Sequence, residues 1–464
     1  MTNHVILVHG YSDKGKSFSH WKDFLTQNGY DNFHLHVVDY TTLTNEVTIK
    51  DIAEAFDKEL HKLIGTDHND ELFEFDAIVH STGMLVLRSW LVAYKEKTQK
   101  LKHLIGLAPA TWGSPLAHKG RSLLGAAFKG KWSGPDFMEA GDLVLDALEL
   151  GSRFTWDLAH NDLFGDHTYY GMDSDTPYVF TICGIDTYSG LRAFVNEPGM
   201  DGTVRWAGCS FGSRKIVLDV TKKTEMDRVR VIDKTSIDTP FIPLAYVNHG
   251  TILDLDKLDD PKDRERNELL HEAREKLQKL VIDALNVNSA EEFDAWKKAA
   301  LKLTESDVSK CEGVWQQFVV HAVDQRGDPI PDYHIQLVTE NINLWRHDGL
   351  DLNFHCYEAD KSFRCFHLNL TELCSLLNVS SVEEIDNSLL NFRVLATANT
   401  SLVSYSGYTS QGTGGNIVKT IGRWTADLEM GKLPKDVKIF YPFTTTLIEL
   451  KINRDPSSDV CVIR

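Results

Sequence analysis

Five short apolar runs separated by helix-patterned stretches limit what this chain can fold into more than any other feature. HVILVHG, FHLHVVD, FDAIVHS, HLIGLAP and PYVFTICG follow one another from His4 to Gly184, each rich in β-branched or apolar residues and bounded by polar or glycine breaks. Helical pattern lies between several of them, as in DIAEAFDKELHKLIG and SWLVAYKEKTQK. Strands that are apolar on both faces and alternate with helices predict a parallel sheet covered by helices on both sides. Such sheets carry their functional residues on loops at the C-terminal ends of the strands. The residues that follow each run therefore matter most.

Ser81 follows the third run, in AIVHSTGMLVLRSWL, where an apolar strand ends and an apolar helix begins. A nucleophilic serine needs this tight turn, which lifts its hydroxyl clear and requires a small residue two positions on. Gly83 is that residue. Two positions before the serine the usual pattern prefers glycine, and Val79 stands there instead, so its bulk has to be absorbed by local packing. The plainer reading of Ser81 is a helix N-cap. His9–Gly10 closes the first run, and ester hydrolysis needs preorganised N–H donors for its oxyanion. The backbone N–H groups of Tyr11 and Thr82 are the natural pair. Two aspartates can serve as the acid that orients a histidine: Asp201 in EPGMDGTVRW, and Asp186 directly after VFTICG. Either could equally be a turn aspartate. His249, in YVNHGTIL, follows the apolar stretch FIPLAYV and precedes helical pattern. One histidine among 19 signifies little by itself. The order serine, aspartate, histidine is what singles it out.

On VILVHGYS, VHSTG, DGTV and NHGTI, the region from Met1 to about Leu285 resembles the lipase and esterase branch of the α/β-hydrolase superfamily. The resemblance implies Ser81 as nucleophile, Asp201 rather than Asp186 as acid, His249 as base, and Tyr11 and Thr82 as oxyanion donors. It also implies a serine hydrolase that cleaves carboxylic esters through an acyl-enzyme, with no metal or cofactor. LAPATWGSP, from Leu107 to Pro115, looks like the segment where a lid begins in lipases. The insertion over residues 110–176 breaks the β–α rhythm and carries aromatic and aliphatic residues among glycines. It is expected to form a lid or cap, with Trp112, Phe137 and Met138 as candidate substrate contacts. An amide or thioester substrate would use the same triad. A hydrolase scaffold that has lost catalysis and serves as a binding adaptor is the reading from another class, and Val79 is its main support.

A chain of 464 residues exceeds what one core usually serves. The expected organisation is an α/β-hydrolase domain over residues 1–288, a helical connector over 289–312, and an all-β, sandwich-like domain over 313–464. The last part holds QQFVVHAVDQRGDPIPDYHIQLV, SFRCFHLNL, NFRVLATA and TTTLIELKINR, strand-like runs without intervening helices. Within it, RGD at Arg326–Asp328 reads as a hairpin turn, and Ser404–Asn416 as a loop.

A formal net charge of −18 argues against a nucleic-acid partner, because phosphate would be repelled. It leaves room for a lipid or other ester substrate and for transient contact with a membrane surface. No signal-peptide pattern and no long apolar span is read near the start, and the seven cysteines form no CxxC pair. A cytoplasmic protein with free thiols is expected, or one exported without a cleaved signal.

Overall fold

The computed structural model describes residues 4–11, 15–30, 33–64, 73–119, 141–171, 175–232, 239–254, 264–339, 353–408, 417–420, 423–429 and 437–463. The chain divides into two compact units: residues 1–212 with 235–312, and residues 213–234 with 313–464.

The five runs form β1 (His4–Val8), β2 (Leu35–Val38), β3 (Phe75–His80), β4 (Leu101–Leu107) and β5 (Tyr178–Gly184). With β8 (Ile242–Leu244) they make one parallel sheet in the order β2-β1-β3-β4-β5-β8. Its helices are α1 (Ser19–Gln27), α2 (Ile49–Leu63), α3 (Gly83–Ala93), α4 (Asp142–Leu148), α5 (Arg153–Asp162), α6 (Arg264–Leu285) and α7 (Ala290–Leu303). The start of α2 shows how the sequence punctuates itself. Thr48 Oγ1 accepts from Asp51 N–H at 3.1 Å while the Asp51 carboxylate accepts from Thr48 N–H at 2.9 Å, a capping box that satisfies two orphan donors.

Strand periodicity then divides the side chains between two faces. Val5, Leu7, Ile78, Ile105, Phe180 and Ile182 pack with Trp21 and Leu25 of α1, Leu277 and Val281 of α6, and Phe293 and Trp296 of α7. On the other face Phe75 meets Phe56 of α2 and Trp90 of α3 edge-on, at centroid distances of 6.5 and 5.6 Å. No helix among the described residues is long and apolar enough to cross a membrane.

One buried pair ties the sheet to the α6–α7 turn. His103 on β4 meets Asp76 Oδ1 on β3 through Nδ1 at 2.6 Å and the Val287 carbonyl through Nε2 at 2.5 Å. Both partners are acceptors, so the doubly protonated ring satisfies both. Burial opposes that charge, but the hydrogen bond and charge of Asp76 and the Val287 carbonyl carry the His103 pKa above its ordinary value. A group whose pKa is raised by folding stabilises most below its unfolded pKa and loses that contribution as pH rises through the folded one. The stability difference between wild type and His103→Gln, taken from urea midpoints, is therefore expected to shrink as pH climbs above the ordinary histidine value. A difference that grows with pH would show the ring to be held neutral.

The second unit contains β9 (Trp315–Asp324), β10 (Tyr333–Val338), β11 (Asn353–Cys356), β12 (Phe363–Asn369), β13 (Asn391–Thr397), β14 (Val403–Tyr408), β15 (Ile417–Thr420), β16 (Arg423–Glu429) and β17 (Thr445–Pro456). Strands β10, β13 and β16 form one sheet, and β11-β12-β9-β17-β14-β15 the path of the other. Residues of both, such as Ile335, Phe392, Val394 and Trp424 with Phe318, Val320, Ile448 and Leu450, share one core, as in a sandwich.

Two segments fall elsewhere than the expected division puts them. Ser213–Asp219 (β6) and Val229–Ile232 (β7) belong to the second unit, where β6 lies parallel to β17 from Ser213↔Thr445 to Asp219↔Lys451 and β7 runs antiparallel to β6. Helix α7, expected in a connector, buries Phe293, Trp296 and Ala300 in the first unit's core. The RGD segment is a turn, with Asp324 Oδ1 accepting from Arg326 N–H at 2.8 Å and Asp328 N–H at 3.0 Å. Ser404–Tyr408, expected in a loop, lies in β14, and residues 409–416 of that stretch are outside the described residues.

Candidate active site

Ser81 sits between β3 and α3 with φ of +53°, a left-handed conformation rare outside glycine and costly for a serine. Main-chain bonds hold the turn: Ser81 N–H donates to Leu107 O at 3.3 Å, and Ser81 O accepts from Ala110 N–H at 3.0 Å. Gly83 is required sterically, since a Cβ there would lie 2.7 Å from the Val8 carbonyl oxygen. Val79 is fully buried, and its register partner on β4 is Gly106.

Two loops from other strands of the sheet reach this turn. The first follows β1. A Cβ built on Gly10 would stand 2.8 Å from Ser81 Cβ and 3.4 Å from Ser81 Oγ, so the Gly10–Tyr11 backbone adjoins the Ser81 turn. Tyr40 braces this loop. Its ring stacks on His9 at 4.2 Å and 11°, its N–H donates to His9 Nε2 at 3.3 Å, and its hydroxyl donates to the His9 carbonyl. His9 Nδ1 in turn bonds Gly10 O at 2.8 Å. The Tyr11 phenol is buried, and burial, followed by the charge of Asp142, pushes its pKa well above the ordinary value. Thr82 is fully buried beside the serine.

The second loop follows β8 and carries His249. Its Nδ1 lies 2.8 Å from Asp201 Oδ2, and its N–H donates to the Asp201 carbonyl at 2.9 Å. Both side chains are buried, Asp201 at 0% and His249 at 1% exposure. The other carboxylate oxygen, Oδ1, accepts from Thr203 N–H at 2.9 Å and Val204 N–H at 2.7 Å. A carboxylate so held fixes the ring with its proton on Nδ1 and leaves Nε2 as the basic nitrogen. The His249 loop reaches β3 through its main chain, where His80 Nε2, one residue before Ser81, bonds the His249 carbonyl at 3.0 Å.

Asp186, the alternative acid, is committed elsewhere. Its Oδ1 accepts from Tyr246 N–H at 3.2 Å, in a turn where Tyr246 has φ of +66°, and burial raises its carboxyl pKa. Trp112, expected as a substrate contact, is 1% exposed. Its indole N–H donates to Ser210 O at 2.9 Å and its ring lies 5.7 Å from the Arg88 guanidinium, so its contacts are structural. Phe137 and Met138 lie outside the described residues.

Sequence reasoning missed three elements of this arrangement: His80, Tyr40, and a thiol pair behind Asp201. Cys183 Sγ lies 3.7 Å from Asp201 Oδ2 and Cys209 Sγ 3.4 Å from Cys183 Sγ. The cysteines are 26 residues apart with no motif between them, so nothing local announces the pair. Among the described residues, no group of three or more His, Cys, Asp or Glu could hold a metal ion.

No family model and no curated protein matches the sequence. Solved structures do match. Phospholipase PlaB from Legionella pneumophila is similar at a TM-score of 0.77 and 22% identity, over 100% of this chain and 96% of that one. The same phospholipase in complex with thio-NAD gives a TM-score of 0.74, also at 22% identity, over the same shares of the two chains. The mature form of the Bacillus licheniformis lipase BlEst2 gives a TM-score of 0.35 at 16% identity, over 56% of this chain and 89% of that one. The chain thus shares the fold of PlaB along its whole length, an α/β-hydrolase unit with a second, β-rich unit.

Proposed function

We propose that this chain is a serine hydrolase of carboxylic esters, with lipid esters as its substrate class, acting through Ser81, His249 and Asp201. The observation that carries the reading is the buried Asp201–His249 pair, bonded at 2.8 Å on a loop whose main chain touches the residue before the strained Ser81. Similarity to a phospholipase over the full chain supports the choice of lipid esters.

In the proposed reaction His249 Nε2 takes the Ser81 proton as Oγ bonds to the ester carbonyl carbon, and the carbonyl electrons move onto oxygen. The N–H groups of Tyr11 and Thr82 receive that oxyanion. Collapse breaks the bond to the alkoxy group, which leaves as the alcohol with the proton from His249. Water, deprotonated by His249, then attacks the acyl-enzyme and releases the acid and free Ser81. The imidazolium formed in each half-reaction lies against the ionised Asp201.

A fluorophosphonate probe distinguishes this reading from a scaffold without catalysis. The wild-type chain is expected to label stoichiometrically at Ser81, found by peptide mass mapping, and Ser81→Ala to stay unlabelled. A folded wild type that leaves the probe untouched would favour the adaptor reading. Assays on acyl esters of rising chain length, then phospholipids, amides and thioesters, fix the substrate within the class.

A further inference from the structure

His80 occupies a place that the proposed triad does not use. It closes β3, is 5% exposed, and stands between the two loops that converge on Ser81. On one side its Nε2 bonds the His249 carbonyl at 3.0 Å, and its ring lies 4.6 Å from the His249 ring at 46°. On the other side it borders Gly10, where a Cβ would come within 3.2 Å of His80 Nδ1. Among the described residues Nδ1 has no hydrogen-bond partner. A carbonyl can only accept, so Nε2 carries the proton and Nδ1 the lone pair. Leaving a buried nitrogen unpaired costs free energy, so the arrangement persists because the other nitrogen is held.

The ring is also kept neutral. Burial first, then the neighbouring His249, holds the His80 pKa well below the ordinary histidine value, and His9, just after β1, acts in the same direction. These two histidines are the titratable groups that act on it, and Asp201 lies beyond His249. A neutral neighbour accepts the appearance of an imidazolium on His249 without repulsion. Its bond to a main-chain oxygen stays the same whichever charge state the His249 ring holds.

We infer that His80 is a positioning residue for the base: it pins the His249 loop to the nucleophile strand through the His249 carbonyl, and so sets where His249 Nε2 stands relative to Ser81. This rests on the triad proposed above. His80 touches no reacting atom in that scheme, so its effect belongs on kcat and on the acid limb of the pH profile rather than on KM.

Two near-isosteres separate this role from simple filling of space. The amide nitrogen of His80→Gln reaches the position of Nε2 and can donate to the same carbonyl, whereas that of His80→Asn reaches only the position of Nδ1. With the wild type labelled at Ser81 by a fluorophosphonate, His80→Asn is expected to lose kcat by about 10²-fold with KM nearly unchanged, the loss that a small misplacement of a catalytic group can cause. Its acid limb is expected to move to lower pH, because a less well aligned Asp201 stabilises the imidazolium less. His80→Gln is expected to keep most of the rate and the wild-type limb. Equal kcat in the two variants, or a wild-type rate and limb in His80→Asn, would overturn the inference while leaving the triad standing. A wild type that does not label would instead remove the triad first. Nitrogen NMR of the wild-type chain gives an answer even if both variants misfold: His80 is expected as the neutral Nε2–H form at the pH of activity, and a charged or Nδ1–H ring would refute the assignment.

Discussion

Asp201→Asn is expected to lower kcat by about 10⁴-fold while leaving the fold intact, a larger loss than removal of one hydrogen bond would give. The reason lies in how the two carboxylate oxygens are used. Oδ1 accepts from two backbone donors, Thr203 N–H at 2.9 Å and Val204 N–H at 2.7 Å, and neither can rotate away. An asparagine must therefore turn its carbonyl oxygen towards them and its NH2 towards His249. The imidazole can answer a donor only by carrying its lone pair on Nδ1, which moves its proton to Nε2. That tautomer cannot take a proton from Ser81. The Cys183 thiol, 3.7 Å from Asp201 Oδ2, would lose that acceptor and keep the Gly184 carbonyl at 3.3 Å. Steady-state hydrolysis beside circular dichroism and a urea midpoint checks the outcome. A properly folded Asp201→Asn chain with near-wild-type kcat would show that another carboxylate serves the base, or that His249 is not the base.

The turn at Ser81 was legible because it lies where a strand meets a helix, and that junction is written locally in apolar run, turn residue and helix start. VHSTG shows a strand ending, a turn and a helix beginning within a few residues, and β3, Ser81 and α3 follow that pattern. The partition between the two units was not legible in the same way. SRKIVLD forms β6, but its neighbour β17 begins more than two hundred residues later. Apolar periodicity tells which residues seek burial and says nothing of which sheet receives them. Gly407 misled for a related reason. The small, polar composition around it signals a loop, yet a Cβ at 407 would lie 2.7 Å from Val220 Cγ2 and 2.8 Å from Trp424 Cζ2, so the glycine marks close packing within a strand. His80 escaped notice because its partner is a backbone oxygen 169 residues away, which leaves no side-chain signature in sequence.

Arg88→Met is expected to destabilise the first unit by about 3–5 kcal/mol, the usual consequence of stripping one partner from a buried ion pair. In GMLVLRSWLVA the arginine looks like a polar interruption on an apolar helix, but it is 0% exposed. Its Nε and Nη2 meet Asp162 at 2.7 and 2.9 Å, and Nη1 donates to Thr111 O at 2.6 Å. Tyr170 donates its hydroxyl to the same aspartate at 2.7 Å, and the guanidinium lies near the rings of Trp112 and Phe211. This one side chain therefore joins α3, the helix that leaves the Ser81 turn, to α5 and to the segment after β4. Methionine fills much of the volume but leaves the buried Asp162 charge with the Tyr170 hydroxyl as its remaining side-chain donor among the described residues. Removing both charges in Arg88→Met/Asp162→Leu relieves that penalty, so the double variant is expected to be less destabilised than the sum of the two singles, though not restored. Tyr170 Oη and Thr111 O stay buried without their partners, at about 1–3 kcal/mol each. Urea midpoints for the wild type, both single variants and the double variant measure the coupling directly. Strict additivity would mean that the two charges are already solvated in solution, and that α3 is held to α5 by apolar contact alone.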